Sequence, residues 1–309
     1  MYRLSTQLLL GIDRDMLDCL VIGGGPAGLL AAIYLGRYRR SVQVIDGGES
    51  RAAKIPESHN YPGFFGIAGP ELLRRLNAQA RQYGAELVSG IATSLRKQGD
   101  TFVATCSGGK VNARFILLAT GLVDHCPQIE GQPADCPSEV VRFCPICDGY
   151  EAIDRRVGVI GDIRAGGKKA LFLRTYTKDV CLFLTDATED MDWQEKLTKA
   201  DVRIVGELQR VRQGTETTIT VATRQGDTYE VDAIYPALGC NVRSDLARAL
   251  GASSTESGNL EVDEHQRTTV DGLYAAGDVV TDLHQLSVAF GHAAIAATHI
   301  HNRLPPNLR

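Results

Sequence analysis

The chain has 309 residues, of which 44% are hydrophobic and 23% charged, and its formal net charge is −4. This length is enough for two domains with cores of their own. The negative charge argues against bulk nucleic-acid binding, and no apolar run reaches the ~18 residues of a membrane span. We therefore expect a cytoplasmic protein with neither a nucleic-acid nor a membrane partner. Residues 1–15 carry no motif and are either an ordered arm or a tail.

The first elements of the chain predict a dinucleotide-binding unit. Leu17–Ile22 is an apolar run of strand length, and Ala27–Arg37 has the apolar spacing of a helix. A glycine-rich turn, Gly23-Gly24-Gly25-Pro26-Ala27-Gly28, connects them. Val42–Ile45 reads as the second strand and ends at Asp46. A strand, a glycine turn, a helix, a strand and an acid in this order are typical of such units.

The glycines of this turn have separate predicted functions. Gly23 allows the tight turn, Gly25 lets a pyrophosphate approach the main chain, and Gly28 lets the helix and the strand pack closely. The N-terminus of the helix offers free N–H groups to phosphates. Asp46 can accept hydrogen bonds from a ribose diol.

Later elements repeat this pattern and predict the fold. Arg156–Gly161 followed by Ala170–Arg174 again reads as strand, turn and helix, and further buried strands are predicted at Phe115–Gly121, Val231–Gly239 and Gly272–Val280. We expect an α/β fold with two Rossmann-like domains, the second inserted into the first. The predicted boundaries give one discontinuous domain, 1–124 with 240–309, and an inserted domain, 125–239.

The inserted part begins with a motif of redox chemistry, Cys144-Pro145-Ile146-Cys147-Asp148-Gly149. Two cysteines separated by two residues can close a small disulfide, and an acid follows them directly. A redox dithiol and a dinucleotide site in one chain indicate flavin-linked disulfide chemistry. The alternatives are two buried core thiols, or a zinc site completed by Cys126 and Cys136, but this spacing fits no zinc-ribbon pattern and we predict no metal.

With these motifs, the sequence resembles the low-molecular-weight thioredoxin reductases and related flavoproteins with two dinucleotide-binding domains. The resemblance covers nearly the whole chain. It is carried by Gly23–Gly28, Asn60-Tyr61-Pro62-Gly63-Phe64, Ala119-Thr120-Gly121, Cys144–Gly149, Ala276-Gly277-Asp278-Val279 and Gln285. It implies FAD bound by the first domain and the C-terminal segment. The residues implied at this cofactor, beyond the glycine turn and Asp46, are Asn60, Thr120, Gly121, Gly277, Asp278, Gln285 and Leu286. His284 departs from the family, which has Arg at this position beside the flavin ring.

The resemblance also assigns roles in catalysis. It implies that Cys147 is the thiol facing the flavin, that Cys144 exchanges with the substrate disulfide, and that Asp148 is the acid–base. The implied partner is a thioredoxin-like protein or a small disulfide, and the implied assembly is a homodimer.

The second glycine turn departs from a well-formed dinucleotide site. In Gly161-Asp162-Ile163-Arg164-Ala165-Gly166, Ile163 replaces the middle glycine, which should obstruct a pyrophosphate or force another turn geometry. The strand Val180–Leu184 is followed by acids, including Asp186, that would repel the 2′-phosphate of NADPH. Arg164, Lys168 and Lys169 supply positive charge near the turn, or simply form a solvated helix face.

This pattern resembles the NADPH-independent branch of the family, which includes diflavin-linked enzymes. We therefore expect NADPH not to be the donor, and a second FAD to occupy this domain. Its candidate contacts are Gly161, Arg164, Lys168 and Asp186, the last on a ribose hydroxyl. Three alternatives remain open: an oxidase of small dithiols, an NAD(P)H-dependent thioredoxin reductase, and a redox sensor without turnover. The oxidases commonly have His after the second cysteine, so Asp148 favours a reductase.

Overall fold

The computed structural model describes residues 16–131, 140–215 and 217–308. Residues 1–15, the predicted arm or tail, and Cys136 lie outside this part. The strands are β1 Met16–Ile22, β2 Val42–Asp46, β3 Glu86–Ser89, β4 Ala92–Gln98, β5 Thr101–Cys106, β6 Gly109–Leu118, β7 Leu122–Asp124, β8 Ile129–Glu130, β9 Val157–Gly161, β10 Val180–Leu184, β11 Arg203–Gln213, β12 Ile219–Thr223, β13 Thr228–Val231, β14 Ala233–Ala237, β15 Cys240–Val242 and β16 Leu273–Ala275.

The helices include the two that follow the glycine-rich turns and a long C-terminal one. They are α1 Pro26–Arg37, α2 Gly69–Gln82, α3 Pro145–Asp148, α4 Ala165–Leu173, α5 Met191–Lys199, α6 Asp245–Arg248 and α7 Leu286–Arg303, with short 3₁₀ turns at Arg51–Lys54 and Tyr150–Ala152. Within the described residues, no helix combines the length and the apolar character that crossing a membrane requires.

The chain divides into two compact units. The first contains the described residues of 1–50 together with 73–121 and 243–309, and the second contains 51–72 and 122–242. The divisions at 121/122 and 242/243 lie close to the predicted 124/125 and 239/240. The segment 51–72 belongs to the second unit, which the sequence did not indicate. One reason is a two-pronged contact from Arg51, whose Nε and Nη2 donate to the Asp124 carboxylate at 2.6 and 2.9 Å.

The first unit is built on a sheet with the strand order β3-β2-β1-β6-β5-β4, and β16 also pairs with β6. β1 lies between β2 and β6 and runs parallel to both. A central parallel strand is covered on both faces, which explains why residues 19–22 of β1 form a continuous buried apolar run rather than an alternating one. Ile22, at the carboxyl end of β1, is in register with Ile45 and Leu118. The turns after β1, β2 and β6 therefore open at the same edge of the sheet.

The second unit has its own sheet, with the order β13-β12-β11-β10-β9-β14, and β8 pairs with β11. β9 lies between β10 and β14 and is parallel to both. Val159 and Ile160 point to the separate hydrophobic clusters on the two faces of this sheet. Two Rossmann-like sheets, each with a strand–turn–helix–strand start, confirm the predicted fold class.

Candidate active site

The first glycine turn needs glycine at three positions for reasons internal to the protein. Gly23 has φ 112°, and a Cβ there would lie 2.2 Å from the Ala119 carbonyl oxygen. A Cβ on Gly28 would lie 1.9 Å from the Gly23 oxygen, which is the close packing of helix and strand predicted for it. Gly24 had no predicted function. A Cβ there would lie 2.2 Å from Cγ of Asp46, so Gly24 makes room for the acid at the end of β2.

Gly25 differs from the other three because little protein faces it. Of the residues that the structure describes, a Cβ there would meet only Ser50, at 3.3 Å from its Oγ. Gly25 is also the N-cap of α1 and supplies no side-chain cap to the helix. The N-terminus of α1 thus presents its main chain to open space, and this cradle fits a pyrophosphate.

Asp46 lies at the carboxyl end of β2, beside this cradle. Its Oδ1 accepts a hydrogen bond from the Gly48 main-chain nitrogen at 2.9 Å, which fixes the carboxylate. A carboxylate held in this way at the second strand suits a ribose diol.

The predicted cofactor residues after β6 have their polar groups in contacts within the first unit. The Thr120 hydroxyl donates to the Arg243 carbonyl at 2.6 Å, and the Arg243 nitrogen donates to the Gly121 carbonyl at 2.9 Å. Gly121 has φ 65°, a region that favours glycine. These two residues therefore shape the turn after β6 and bind the main chain at Arg243, where the chain re-enters the first unit.

The C-terminal part of the predicted cofactor site meets the start of α1. A Cβ on Gly277 would lie 3.0 Å from Cβ of Ala27 and 3.7 Å from Cβ of Ala289. The turn after β16, the first turn of α1 and helix α7 therefore converge. Asp278 follows in this turn, and its carbonyl accepts a hydrogen bond from the Asn259 amide at 3.3 Å.

Helix α7 begins at the other predicted residues and contributes a histidine that the sequence analysis did not identify. Gln285 is the N-cap of α7 and donates from Nε2 to the His284 carbonyl at 3.0 Å, and Leu286 is the first helical residue. The Nδ1 atom of His292 is buried without a hydrogen-bond partner among the described residues. Burial lowers the pKa of His292, and the charge of Asp278 opposes this. A buried ring nitrogen that has no partner among the described residues and that interacts with the charge of Asp278 fits a site that a polar cofactor completes.

The signal that could have revealed His292 is its sequence context. It is an imidazole in a helix whose buried residues are four alanines and one isoleucine. The residues present in the first unit are compatible with FAD, since the main chain at Gly25 would leave room for a pyrophosphate and the fixed Asp46 carboxylate would suit a ribose.

The redox motif lies in the second unit as a closed disulfide. Cys144 and Cys147 are bonded, with their Cα atoms 5.3 Å apart. Cys144 is the N-cap of the short helix α3, with Pro145 in its first turn, and the Cys147 main-chain nitrogen donates to the Cys144 Sγ at 3.2 Å. A sulfur at the N-terminus of a helical turn that accepts an N–H bond is stabilised as a thiolate. The geometry therefore favours Cys144 as the nucleophilic thiol.

Asp148 ends the redox helix in an environment that favours its protonated form. Burial raises the pKa of Asp148 from 3.8 to about 6, although the Arg142 guanidinium opposes the shift. Nη1 of Arg142 lies 3.7 Å from Oδ2 of Asp148, while Oδ1 is buried without a hydrogen-bond partner among the described residues. The buried Tyr235 donates its hydroxyl to the main-chain oxygen of Asp148 at 3.2 Å. Tyr235 therefore fixes the main chain at Asp148, and the raised pKa of the carboxyl suits an acid–base.

Asn60 lies with the redox motif in the second unit. Its Nδ2 is 3.5 Å from the carbonyl oxygen of Ile146, between the two cysteines, and its Oδ1 is 3.4 Å from the Ser58 hydroxyl. These are long contacts, but they place Asn60 against the redox loop.

The second glycine turn is closed by the protein itself. Oδ1 of Asp162 accepts hydrogen bonds from the main-chain nitrogens of Arg164 at 2.7 Å and Ala165 at 2.8 Å. These N–H groups of the first turn of α4 are the ones that would bind a phosphate. The Ile163 side chain does not face these N–H groups, because it is only 2% exposed and packs in the core. The group that obstructs the turn is Asp162 rather than Ile163.

The positive charges near this turn have different surroundings. Nε and Nη2 of Arg164 both lie 2.8 Å from Oδ2 of Asp190, so this cation is paired. Lys168 is exposed, as a solvated helix face requires. Lys169 is not, because it is partly buried and donates to two main-chain carbonyls.

Gly161 and Asp186, the other candidates for a second cofactor, are also in protein contacts. A Cβ on Gly161 would lie 2.9 Å from both Cβ and the oxygen of Ala237, so this glycine serves packing. Asp186 is exposed, and its Oδ1 accepts a hydrogen bond from the Thr188 nitrogen at 3.0 Å. Its pKa is lowered by the hydrogen bonds from Thr188, so Asp186 carries a negative charge at neutral pH.

Among the described residues, no three His, Cys, Asp or Glu side chains are grouped as a metal site would require. Cys126 is half-buried and packs against the core of the second unit.

Comparison with known proteins agrees with this arrangement. Residues 17–295 match the family described as pyridine nucleotide-disulphide oxidoreductase. The chain belongs to this family. It is 25% identical to a thioredoxin reductase of Bacillus subtilis over 302 residues, covering 93% of this chain and 95% of the relative. It is 27% identical to a thioredoxin reductase of Listeria monocytogenes, covering 92% of each chain.

A solved structure described as HlmI superimposes with a TM-score of 0.87 at 28% identity, covering 94% of this chain and 92% of the other. The chain is thus similar to members of the pyridine nucleotide-disulphide oxidoreductase family over nearly its whole length. It is a thioredoxin reductase-like flavoprotein disulfide oxidoreductase, and the family implies FAD.

Proposed function

We propose that this protein passes electrons between FAD and a thioredoxin-like partner through the Cys144–Cys147 disulfide, and that NADPH is not its donor. When bound, FAD supplies two electrons at a time to the disulfide. The residues of the chain then carry out the exchange with the partner. The observation that carries the donor part of the proposal is the Asp162 carboxylate at the N-terminus of α4.

The exchange begins at Cys144. Its thiolate attacks one sulfur of the partner disulfide, a mixed disulfide forms, and the other partner sulfur leaves as a thiolate. Cys147 then attacks the Cys144 sulfur, which re-forms the Cys144–Cys147 bond and releases the second partner thiolate. Two electrons have passed to the partner. The hydrogen bond from the Cys147 nitrogen to the Cys144 Sγ supports this order, because it stabilises the attacking thiolate.

Asp148 handles the protons of this exchange. With a pKa raised to about 6 by burial, the carboxyl can take a proton from a thiol and return it to a leaving thiolate near neutral pH. Its Oδ1, buried without a hydrogen-bond partner among the described residues, is the atom we assign to this proton.

A protein partner is supported by the surface beside the disulfide. Ile146, between the two cysteines, has 49% of its surface exposed, and Tyr150 has 72%. Exposed apolar side chains next to a reactive disulfide suit a protein substrate, since they gain burial when the partner docks. The names of the relatives from Bacillus subtilis and Listeria monocytogenes support thioredoxin as the class of partner.

The proposal that NADPH is not the electron donor is supported by the negative charge at the second glycine turn. A pyrophosphate there would have to displace Asp162 from two N–H groups and lie near its negative charge. Each charge-assisted hydrogen bond contributes about 1.5–3 kcal/mol, so the loss of two weakens binding by at least about a hundredfold. Asp186, ionised and exposed, would oppose a 2′-phosphate near the end of β10 as well. Asp162 opposes the pyrophosphate of a second FAD in the same way, so the second FAD stays a prediction that a count of flavins per chain tests.

The experiment is anaerobic reduction of the purified holoprotein in a stopped-flow spectrometer. We expect micromolar NADPH and NADH to bleach the flavin slowly, and dithionite to bleach it rapidly. The dithionite-reduced protein should then reduce oxidised thioredoxin. Rapid bleaching by micromolar NADPH would contradict the donor assignment. Hydrogen peroxide formation from a small dithiol, without reduction of thioredoxin, would instead identify a dithiol oxidase.

A further inference from the structure

Lys169 lies in an environment that is unusual for a lysine. Lysine is almost never buried unless its charge is paired, yet Lys169 is partly buried on helix α4, whereas the adjacent Lys168 is exposed. Its Nζ donates to the carbonyl oxygens of Phe143 at 3.1 Å and Pro236 at 2.5 Å. Both acceptors are main-chain atoms, so the contact is independent of the side chains at those positions.

The two acceptors connect the redox loop to the sheet of the second unit. Phe143 immediately precedes Cys144, and Pro236 lies in β14, in register with Ile160 of β9. The ammonium group therefore connects the main chain just before the disulfide loop to β14, the strand that ends the order of this sheet.

Lys169 also lies within the electrostatic environment of the acid–base. Its charge lowers the pKa of Asp148, as that of Arg142 does, whereas burial and Glu151 raise it. Burial lowers the pKa of Lys169 to about 8, and the charge of Asp148 opposes this shift.

Two further charged groups face Lys169. Asp124 favours its protonated form, and Arg51 opposes it. Since these two form a salt bridge with each other, their effects on Lys169 partly cancel. Lys169 thus keeps its charge at neutral pH, beside Asp148.

We propose that Lys169 is a positioning residue of the Cys144–Cys147 site, which fixes the main chain entering the disulfide loop and holds a positive charge beside Asp148. This inference deepens the proposed function and rests on it. The cation stabilises the thiolate that leaves when the disulfide is opened, and a better leaving thiolate speeds the exchange. The two hydrogen bonds tie the Phe143 carbonyl, directly before Cys144, and the Pro236 carbonyl to the ammonium group, so that this charge stays in place.

The test uses three variants of Lys169 and one control in the FAD-loaded full chain. Lys169→Met removes both the donor and the charge, Lys169→Gln keeps a donor without the charge, and Lys169→Arg keeps both. Lys178→Met removes the same charge from an exposed position of the same unit and is the matched control. Thermal unfolding of each variant establishes that it is folded.

The measurement is the rate at which dithiothreitol reduces the disulfide between pH 5 and 9, followed by rapid alkylation of the new thiols. The reaction breaks the Cys144–Cys147 bond, transfers two electrons and two protons, and converts dithiothreitol to its cyclic disulfide. Rates are taken relative to Lys178→Met, so that the ionisation of dithiothreitol cancels. Neither flavin reduction nor a partner protein is needed.

We expect Lys169→Met to react about tenfold more slowly at pH 7. The acid limb of its pH profile, where the rate falls as the pH is lowered, should move upward by about half a pH unit, because Asp148 loses a nearby cation. Lys169→Gln should show the same shift of the limb with a smaller loss of rate. Lys169→Arg should restore the position of the limb.

The inference is overturned if Lys169→Met matches the control in both rate and pH profile. It is equally overturned if Lys169→Arg and Lys169→Met are slowed by the same factor while the acid limbs of their pH profiles do not move. That result would indicate that Lys169 contributes only through packing. Failure of the proposed function is a separate result, since it would appear as a disulfide that opens with dithiothreitol but accepts no electrons from reduced flavin.

Discussion

Replacement of Asp148 by Asn should stabilise the folded protein while it slows disulfide exchange. Burial raises the pKa of Asp148 from 3.8 to about 6 in the folded state. The folded protein therefore binds this proton more tightly than the unfolded chain does. The stability that the protonated carboxyl contributes is fully present below the unfolded pKa of 3.8 and is lost as the pH rises through about 6. A shift of about two pKa units corresponds to about 3 kcal/mol at ~1.4 kcal/mol per unit.

The assay is thermal unfolding of the unmodified protein and of Asp148→Asn between pH 4 and 7.5. Asn cannot ionise, so the variant should gain about 3 kcal/mol at pH 7, a rise of several degrees in Tm, and less than about 1 kcal/mol at pH 4. Asp227→Asn is the control, because Asp227 is exposed in the same unit. A difference that is zero, or that does not change with pH, would refute the burial argument. Exchange with a disulfide substrate should fall about a hundredfold, which is typical for loss of an acid–base.

Three further predictions concern the cofactor, the cysteines and the assembly. Gly25→Val should fold but bind FAD at least about a hundredfold more weakly, because its side chain fills the pyrophosphate path, whereas Gly108→Val, in open space, should keep full flavin absorbance. Cys144→Ser should lose exchange with a thioredoxin-like protein and show a thiolate–flavin charge-transfer absorption. Cys147→Ser should lose electron flow from flavin to the disulfide. If both single variants still reduced the partner, the dithiol mechanism would be ruled out. The protein should be a homodimer by light scattering at micromolar concentration, and a monomeric mass would contradict this.

Local patterns in the sequence predicted most of the elements that position the site. The strand predicted at Val180–Leu184 has the same bounds in the structure. The run Val231–Gly239 was wrong as a single strand. Asp232 breaks it between β13 and β14, because its carboxylate accepts hydrogen bonds from the Arg156 main chain and guanidinium.

The features that the sequence did not reveal depend on contacts between distant parts of the chain. Gly24 is required by Asp46, and Lys169 is buried by contacts with Phe143 and Pro236. No periodicity in the sequence specifies such pairs.

The second glycine turn shows a different limit. The sequence indicated that it is unsuited to a pyrophosphate but pointed to the wrong side chain. The bulk of Ile163 was the visible departure, whereas the carboxylate of Asp162, a residue that ordinarily caps helices, is what occupies the helix N-terminus.

The central claim is that the Cys144–Cys147 disulfide exchanges electrons with the flavin. The most direct test is an anaerobic dithionite titration of the holoprotein beside the double variant Cys144→Ser/Cys147→Ser, with free thiols counted at the end point. We predict that the unmodified protein takes up two electrons more per chain than the variant and gains two free thiols. Equal electron uptake, with the disulfide still closed when the flavin is fully reduced, would contradict the account.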